Sequence, residues 1–316
     1  MDRFRIGIMG IGGIGGYIGG MLAAKYVQPA AIEITFIARG ENLDKIKAAG
    51  LLLKTDEWEK TVYPFDTILD SQSAGTYDLL IICAKNTGLE KAVIALKESI
   101  GESTVILPFL NGVDAAERIR TCLTGMHSSV LKGSCYILAR LEKPGEVKVS
   151  GPLKEFYLGS STGDVKPEII NKIVDIFGDA GINAQSPADI DETLWTKFLF
   201  ISPMASLTSA LDKSLGQVLA NKEEKQVLIS LMTELDGLAK AKGINLPENI
   251  LQILLAKMER VPFDAIASMH ADLKKNKPSE IDALTGYVVR EGENLGFPVP
   301  AYKHVLSEII KRWNLS

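Results

Sequence analysis

Cysteine is scarce in this chain of 316 residues: Cys83, Cys122 and Cys135 are an odd set with no CxxC spacing. That excludes a disulfide framework and suits free thiols in a reducing compartment, so a cytoplasmic location is expected. Histidine is equally rare. His127, His270 and His304 are scattered and form no HxxxH pair or Cys/His cluster on which metal catalysis could rest, so each is expected to be a surface or satisfied core residue. A GxSxG elbow is absent, and with it that design of serine hydrolase. There is no excess of positive charge. Lys and Arg number 35 against 39 Asp and Glu, a net charge of -4, so no basic surface exists to track phosphates and nucleic acid is not an expected partner. Long uncharged runs are missing with one exception, residues 6–24. Eight of those nineteen residues are glycine, which weakens both apolar transfer and helix formation, so neither a membrane span nor a signal peptide is expected.

What is present is the composition of a globular chain, 46% hydrophobic and 23% charged, at a length that predicts two domains. The first half alternates short β-branched runs with helical patterns. Strands are predicted at 5–9, 32–38, 78–84, 104–107 and 130–137, and helices at 14–26, 43–49, 89–99 and 114–122. This alternation predicts an α/β fold with a doubly wound, mainly parallel sheet covered by helices on both faces. Lys143-Pro144-Gly145-Glu146 reads as a hairpin turn, so the sheet is expected to finish with antiparallel strands. Beyond about Pro187 the pattern is helical only, at 192–210, 223–242, 247–258 and 279–295. Gly243 and Gly296 stand where helix stops belong. The expected domains are therefore 1–187, nucleotide-binding α/β, and 188–316, all-helical.

Gly10, Gly12 and Gly15 fit GxGxxG directly after the first strand and before a helix, the context that a dinucleotide-binding turn requires. The glycines allow a tight turn, close backbone approach to a pyrophosphate and close helix-to-strand packing. The helix N-terminus faces the anion. The run Gly10, Ile11, Gly12, Gly13, Ile14, Gly15 is thus the candidate cofactor segment, although a glycine-rich turn of another α/β protein fits the same letters. Polar residues recur at the carboxyl ends of the strands: Arg39 after the second, Lys85 and Asn86 after the third, Asn111-Gly112 after the fourth. Singly, each is also an ordinary surface charge or turn. At the end of the second strand an NAD site places a carboxylate; Arg39 suits a 2′-phosphate instead, which favours NADPH, with Glu41 close by in sequence.

Reduction of a ketone needs a proton donor for the developing alkoxide. Lys197 stands between Trp195 and the apolar Phe198, Leu199 and Phe200, where a desolvated ammonium can be tuned to donate. A helix lysine that merely snorkels to solvent has the same spacing.

With these pieces in place the chain resembles the ketopantoate reductase (2-dehydropantoate 2-reductase) family over nearly its full length. The resemblance is carried by GxGxxG at Gly10 to Gly15, Arg39-Gly40, Lys85, Phe109-Leu110-Asn111-Gly112, Leu194-Trp195-Thr196-Lys197, Ser268, Glu280-Ile281-Asp282 and Gly286-Tyr287. It implies a Rossmann-type domain that binds NADPH, followed by an all-helical domain, with a small 2-oxo acid as substrate. It also implies roles. Lys197 protonates the alkoxide and holds the substrate, Asn111 lies beside the nicotinamide and the substrate, Ser268 contacts the substrate carboxylate, and Glu280 lies near cofactor and lysine. A homodimer is compatible with it. The pattern is broken at three places where the family carries asparagines: Ile201, Ala205 and Ala265 stand there instead. Ser202 and Ser206 are one residue on, a rotation of roughly 100° around the helix, and do not substitute. The expected activity is reduction of ketopantoate to pantoate. Two alternatives stay open, a reductase of a more apolar 2-oxo acid and an NADP(H)-binding module without catalysis.

Overall fold

Strands buried on both faces carry nearly continuous apolar runs, and the first unit begins with one. In β1 (Phe4–Met9) Ile6 and Ile8 are fully buried, and Gly7 leaves room for the Tyr77 ring and Leu80. The computed structural model describes residues 3–27, 31–69, 75–126 and 129–315. After β1 come α1 (Gly13–Lys25), β2 (Ile32–Ala38), α2 (Gly40–Ala49), β3 (Leu51–Lys54), β4 (Glu59–Val62), β5 (Asp66–Leu69) and β6 (Leu79–Ile82). They are followed by α3 (Leu89–Ala95), β7 (Val105–Pro108), α4 (Ala115–Cys122), β8 (Ser129–Val130), β9 (Lys132–Lys143), β10 (Glu146–Gly159), α5 (Pro167–Asp179) and β11 (Asn183–Gln185).

Six strands make an all-parallel sheet in the order β5-β2-β1-β6-β7-β8, whose direction of winding reverses between β1 and β6. On one face, Leu89 and Val93 of α3 and Ala116 and Ile119 of α4 pack on Leu80, Ile82 and Ile106. On the other, Ile18 and Leu22 of α1 and Leu43 and Ile46 of α2 pack on Ile8, Phe36 and Leu107. The expected doubly wound architecture is the one the chain adopts.

The antiparallel hairpin forms where Gly145 (φ 78°) allows the turn, but its strands do not finish the parallel sheet. They build a second one, ordered β11-β10-β3-β4 with β9 on β10. The strand expected at 130–137 accordingly splits into β8, in the first sheet, and β9, in the second. Helix α1 lies between the two layers. A Cβ on Gly15 or Gly19 would touch Cys83 or Phe36 of the first sheet's side; one on Gly13, Gly16 or Gly20 would strike Ala139, Val147 or Leu53 of the second. Cover on two sides is why residues 6–24 carry no charge. No helix among the described residues is long and apolar enough to cross a membrane.

The first unit holds the chain to Leu110 and from Asp114 to Ile190; the second holds Asn111–Val113 and the chain from Asp191 on. The second is all-helical: α6 (Ile190–Leu211), α7 (Leu215–Ala220), α8 (Lys222–Ala241), α9 (Ile250–Met258), α10 (Ser268–Lys274), α11 (Tyr287–Leu295) and α12 (Pro300–Arg312). Ser214 and Gln217 form a capping box on α7, and Asn221 caps α8 through the Glu224 N–H. Gly243 and left-handed Gly296 follow α8 and α11 as helix stops. The helix expected at 279–295 is interrupted by a π-helical turn, Asp282–Gly286. The one expected at 247–258 begins only at Ile250.

Candidate active site

Gly10 adopts φ +90°, and a Cβ there would lie 2.9 Å from the Cys83 and Ala84 backbone just past β6. The turn after β1 therefore lies against the end of β6, where the winding of the sheet reverses and an α/β sheet gathers its ligands. A Cβ on Gly15 would meet the Gly10 carbonyl oxygen at 2.2 Å, so this glycine lets the helix close onto the turn. Gly12 differs from both: a Cβ there meets nothing within 4 Å. No side chain caps α1 at Gly12 and no acidic residue occupies its first turn. An open backbone surface beside an uncapped helix N-terminus fits a diphosphate. Gly13 sits in the same run for another reason, since its Cβ would be 2.2 Å from the Ala139 oxygen of β9. Ile11 is buried and Ile14 half-buried in the core, so both offer backbone rather than side chain to the turn.

Arg39 caps the start of α2 with an exposed side chain that makes no hydrogen bond or ion pair to the described residues. Exposed Lys85 begins the loop after β6. The next residue, Asn86, is buried and held by Arg118 of α4, whose Nη2 donates to the Asn86 carbonyl at 2.9 Å and whose Nη1 donates to its Oδ1 at 3.2 Å. Arg118 Nε also donates to Glu90 at 2.7 Å and holds that carboxyl below its usual pKa. Neither Arg118 nor Asn42, which accepts and donates across the glycine turn, was signalled by motif spacing. The side-chain hydrogen bonds that tie them in reach 28 to 103 residues along the chain.

In the second unit, three sequence-predicted residues meet. Lys197 Nζ donates to Asn111 Oδ1 at 3.1 Å, and Asn111 Nδ2 donates to Glu280 Oε2 at 2.9 Å. The three are half-buried. Asn111 belongs to the three-residue stretch, 111–113, that packs with the helices although it follows β7, and Gly112 (φ 96°) makes the turn there. Lys197 is presented by α6, where Trp195 and Phe198 stack edge-on with each other and with Tyr287 at 5.7 to 6.3 Å. Glu280 lies two residues before the π-helical segment and its carbonyl accepts the Leu284 N–H at 3.0 Å.

Other predicted residues stand apart. Ser268 is exposed at the first turn of α10 and makes no hydrogen bond to Lys197, Asn111 or Glu280. Ser202 and Ser206 turn inward: Ser202 Oγ is 2.9 Å from the Tyr302 hydroxyl and donates to the Leu284 carbonyl, while Ser206 Oγ is 2.7 Å from Thr285 Oγ1. Ala205 is buried and Ile201 half-buried. His270 is a core residue, its Nε2 2.8 Å from Asp212 Oδ1 and its ring against Trp313; His304 is exposed, and His127 lies outside the described residues. No cluster of three metal-ligating side chains occurs among the described residues.

Comparison with known proteins gives the family. Residues 6–163 match the family described as "Ketopantoate reductase PanE/ApbA" and residues 189–312 match its C-terminal part. The structure of 2-dehydropantoate 2-reductase from Porphyromonas gingivalis is similar with 33% identity and a TM-score of 0.83, covering 98% of this chain and 99% of that one. A PanE/ApbA family ketopantoate reductase from Ralstonia eutropha is similar with 27% identity and a TM-score of 0.86, over 98% and 99% of the two chains. An uncharacterized oxidoreductase of Bacillus subtilis is 24% identical over 302 residues, 96% of each chain. The alternative of a binding module without catalysis is set aside by these matches. The chain belongs to the ketopantoate reductase family, oxidoreductases that use NAD(P)H and act on a CH–OH group.

Proposed function

We propose that the protein reduces the 2-carbonyl of ketopantoate to give pantoate, with NADPH as the reductant. The observation that carries this reading is the hydrogen-bonded chain Lys197–Asn111–Glu280, which puts an ammonium under the control of a carboxylate through an amide. A bound reduced nicotinamide supplies a hydride equivalent; the remaining work falls to side chains. The open backbone at Gly12 and the N-terminus of α1 would hold the diphosphate, and the exposed Arg39 guanidinium would hold a 2′-phosphate. Lys197 donates its proton to the carbonyl oxygen as negative charge develops there, and the amine then recovers a proton from water. Asn111 is held at both ends, so its Oδ1 faces the ammonium. Glu280 acts on the reaction through Asn111 and is a positioning residue. Ser268 and Lys85 are the remaining polar candidates, for the substrate carboxylate and the cofactor.

A second reading, reduction of a more apolar 2-oxo acid, is favoured by Ile201 and Ala205 together with the inward turn of Ser202 and Ser206, whose hydroxyls are spent on Tyr302, Leu284 and Thr285. Purified protein with NADPH or NADH and a panel of 2-oxo acids, followed by nicotinamide absorbance, separates the two. Preferred turnover of ketopantoate with NADPH is the expected result. Preference for simple branched 2-oxo acids supports the second reading, and equal use of NADH argues against the role of Arg39.

A further inference from the structure

We infer that Asn42 is a positioning residue for the dinucleotide turn, acting through the carbonyl of Ile11; this rests on the nicotinamide reading above. Asn42 is half-buried on α2, outside the GxGxxG letters. Its Nδ2 donates to the Ile11 carbonyl at 2.8 Å and its Oδ1 accepts the Gly145 N–H, at the tip of the β9–β10 hairpin, at 2.8 Å. The two partners fix the amide's orientation, because a carbonyl can only accept and an N–H can only donate.

The Ile11–Gly12 peptide is therefore held at both poles. Its N–H is turned into the turn, onto the Gly10 carbonyl at 2.8 Å, and its oxygen is tied to Asn42. Gly12 has no Cβ, and one placed there would meet nothing within 4 Å, so this glycine adds no side chain to resist a turn of the peptide once the oxygen is released. Rotation would swing a carbonyl oxygen toward the face where the turn and the α1 N-terminus receive an anion. Its partial negative charge would oppose that anion and mask the neighbouring N–H groups. Asn42 keeps the oxygen on the far side, so the donor surface is formed before the cofactor arrives. The same side chain joins three segments far apart in sequence, α2, the turn and the hairpin, which is how the second sheet comes to bear on the cofactor site.

The test compares Asn42→Asp and Asn42→Ala with the unaltered full-length protein. Asp keeps an acceptor for the Gly145 N–H but sets a carboxylate oxygen against the Ile11 carbonyl; Ala removes both bonds. Readouts are NADPH affinity by fluorescence at low and high salt, the KM for NADPH against kcat, and the melting temperature. The expected result is NADPH affinity lowered about tenfold in both variants at both salt concentrations. kcat at saturating NADPH should stay within about twofold, and Asn42→Asp should melt close to the unaltered protein. Affinity within about twofold of the unaltered protein in either variant overturns the inference. So does a loss seen only in Asn42→Ala and in step with a fall in melting temperature, which is the mark of a structural role. If the unaltered protein binds neither NADPH nor NADH, the nicotinamide reading itself fails and this inference with it.

Discussion

Replacing Lys197 by methionine keeps an unbranched apolar stem on α6 and removes only the ammonium. If Lys197 is the proton donor, the loss is that of a positioned general acid, about 10²–10⁴ in rate, or roughly 3–6 kcal/mol at about 1.4 kcal/mol per decade. The structural cost is smaller. The Nζ bond to Asn111 Oδ1 disappears, but Asn111 keeps Glu280, and the half-buried site lets water take the place of the lost donor. A hydrogen bond to a charged group is worth about 1.5–3 kcal/mol when its partner is left stranded, and less when water can reach it. The edge-on ring contacts among Trp195, Phe198 and Tyr287 remain in the variant. NADPH oxidation at saturating 2-oxo acid should therefore fall by two to four orders of magnitude in Lys197→Met, while NADPH affinity stays within about threefold and the melting transition stays cooperative. Turnover within threefold of the unaltered protein, with fold and affinity intact, would refute the assignment of the proton donor.

Four other outcomes follow from particular contacts. Gly13→Ala brings a Cβ to 2.2 Å from the Ala139 oxygen and should cost about 1–3 kcal/mol by calorimetry. Gly12→Ala, with nothing within 4 Å, should melt normally and lose dinucleotide affinity. Ser206→Ala or Thr285→Val alone leaves a buried hydroxyl without its 2.7 Å partner and should cost about 1–3 kcal/mol; the double variant should be more stable than the sum of the two, and strict additivity would remove the pair from the account. Arg118 depresses the Glu90 pKa, so the stability this pair contributes is present above the ordinary glutamate value of about 4.3 and is lost as pH falls through the lowered folded value. Glu90→Gln should thus flatten the acid limb of melting temperature against pH, modestly, since Glu90 is 45% exposed.

Much of this was legible in the sequence because local chemistry carried it. The strand–glycine–helix succession at Phe4–Lys25 and the apolar run Leu79–Ile82 have only one comfortable place in an α/β protein. Lys197, set among aromatic residues, is drawn to a polar partner such as Asn111. The second sheet was not legible. Its strands β3 and β4 have four residues each, and Leu52 finds its parallel partner Glu146 nearly a hundred positions later, a separation that no local periodicity reports. Helix α5 carries a helical period in Ile170, Ile173, Ile176 and Phe177, with Pro167 at its start, but it lies beyond the hairpin where the strand pattern dominates. Gly13 reads from the letters as part of the cofactor run, whereas its space is filled by β9; backbone approach between distant segments leaves no mark except the glycine itself.

The two-sided cover on α1 bears on the order in which the protein matures. The first fifteen residues carry the glycines of the anion turn, yet the strand that packs on Gly13 and the hairpin tip that grips Asn42 emerge from the ribosome only about 130 residues later. At about 5–20 residues per second, that is a delay of roughly 6–26 s during which Gly13 and Gly16 lack the β9 and β10 residues that later close on them. Competence to take up a dinucleotide should arise abruptly once β10 has cleared the exit tunnel, and nascent chains truncated ahead of Gly145 should remain unable to bind it.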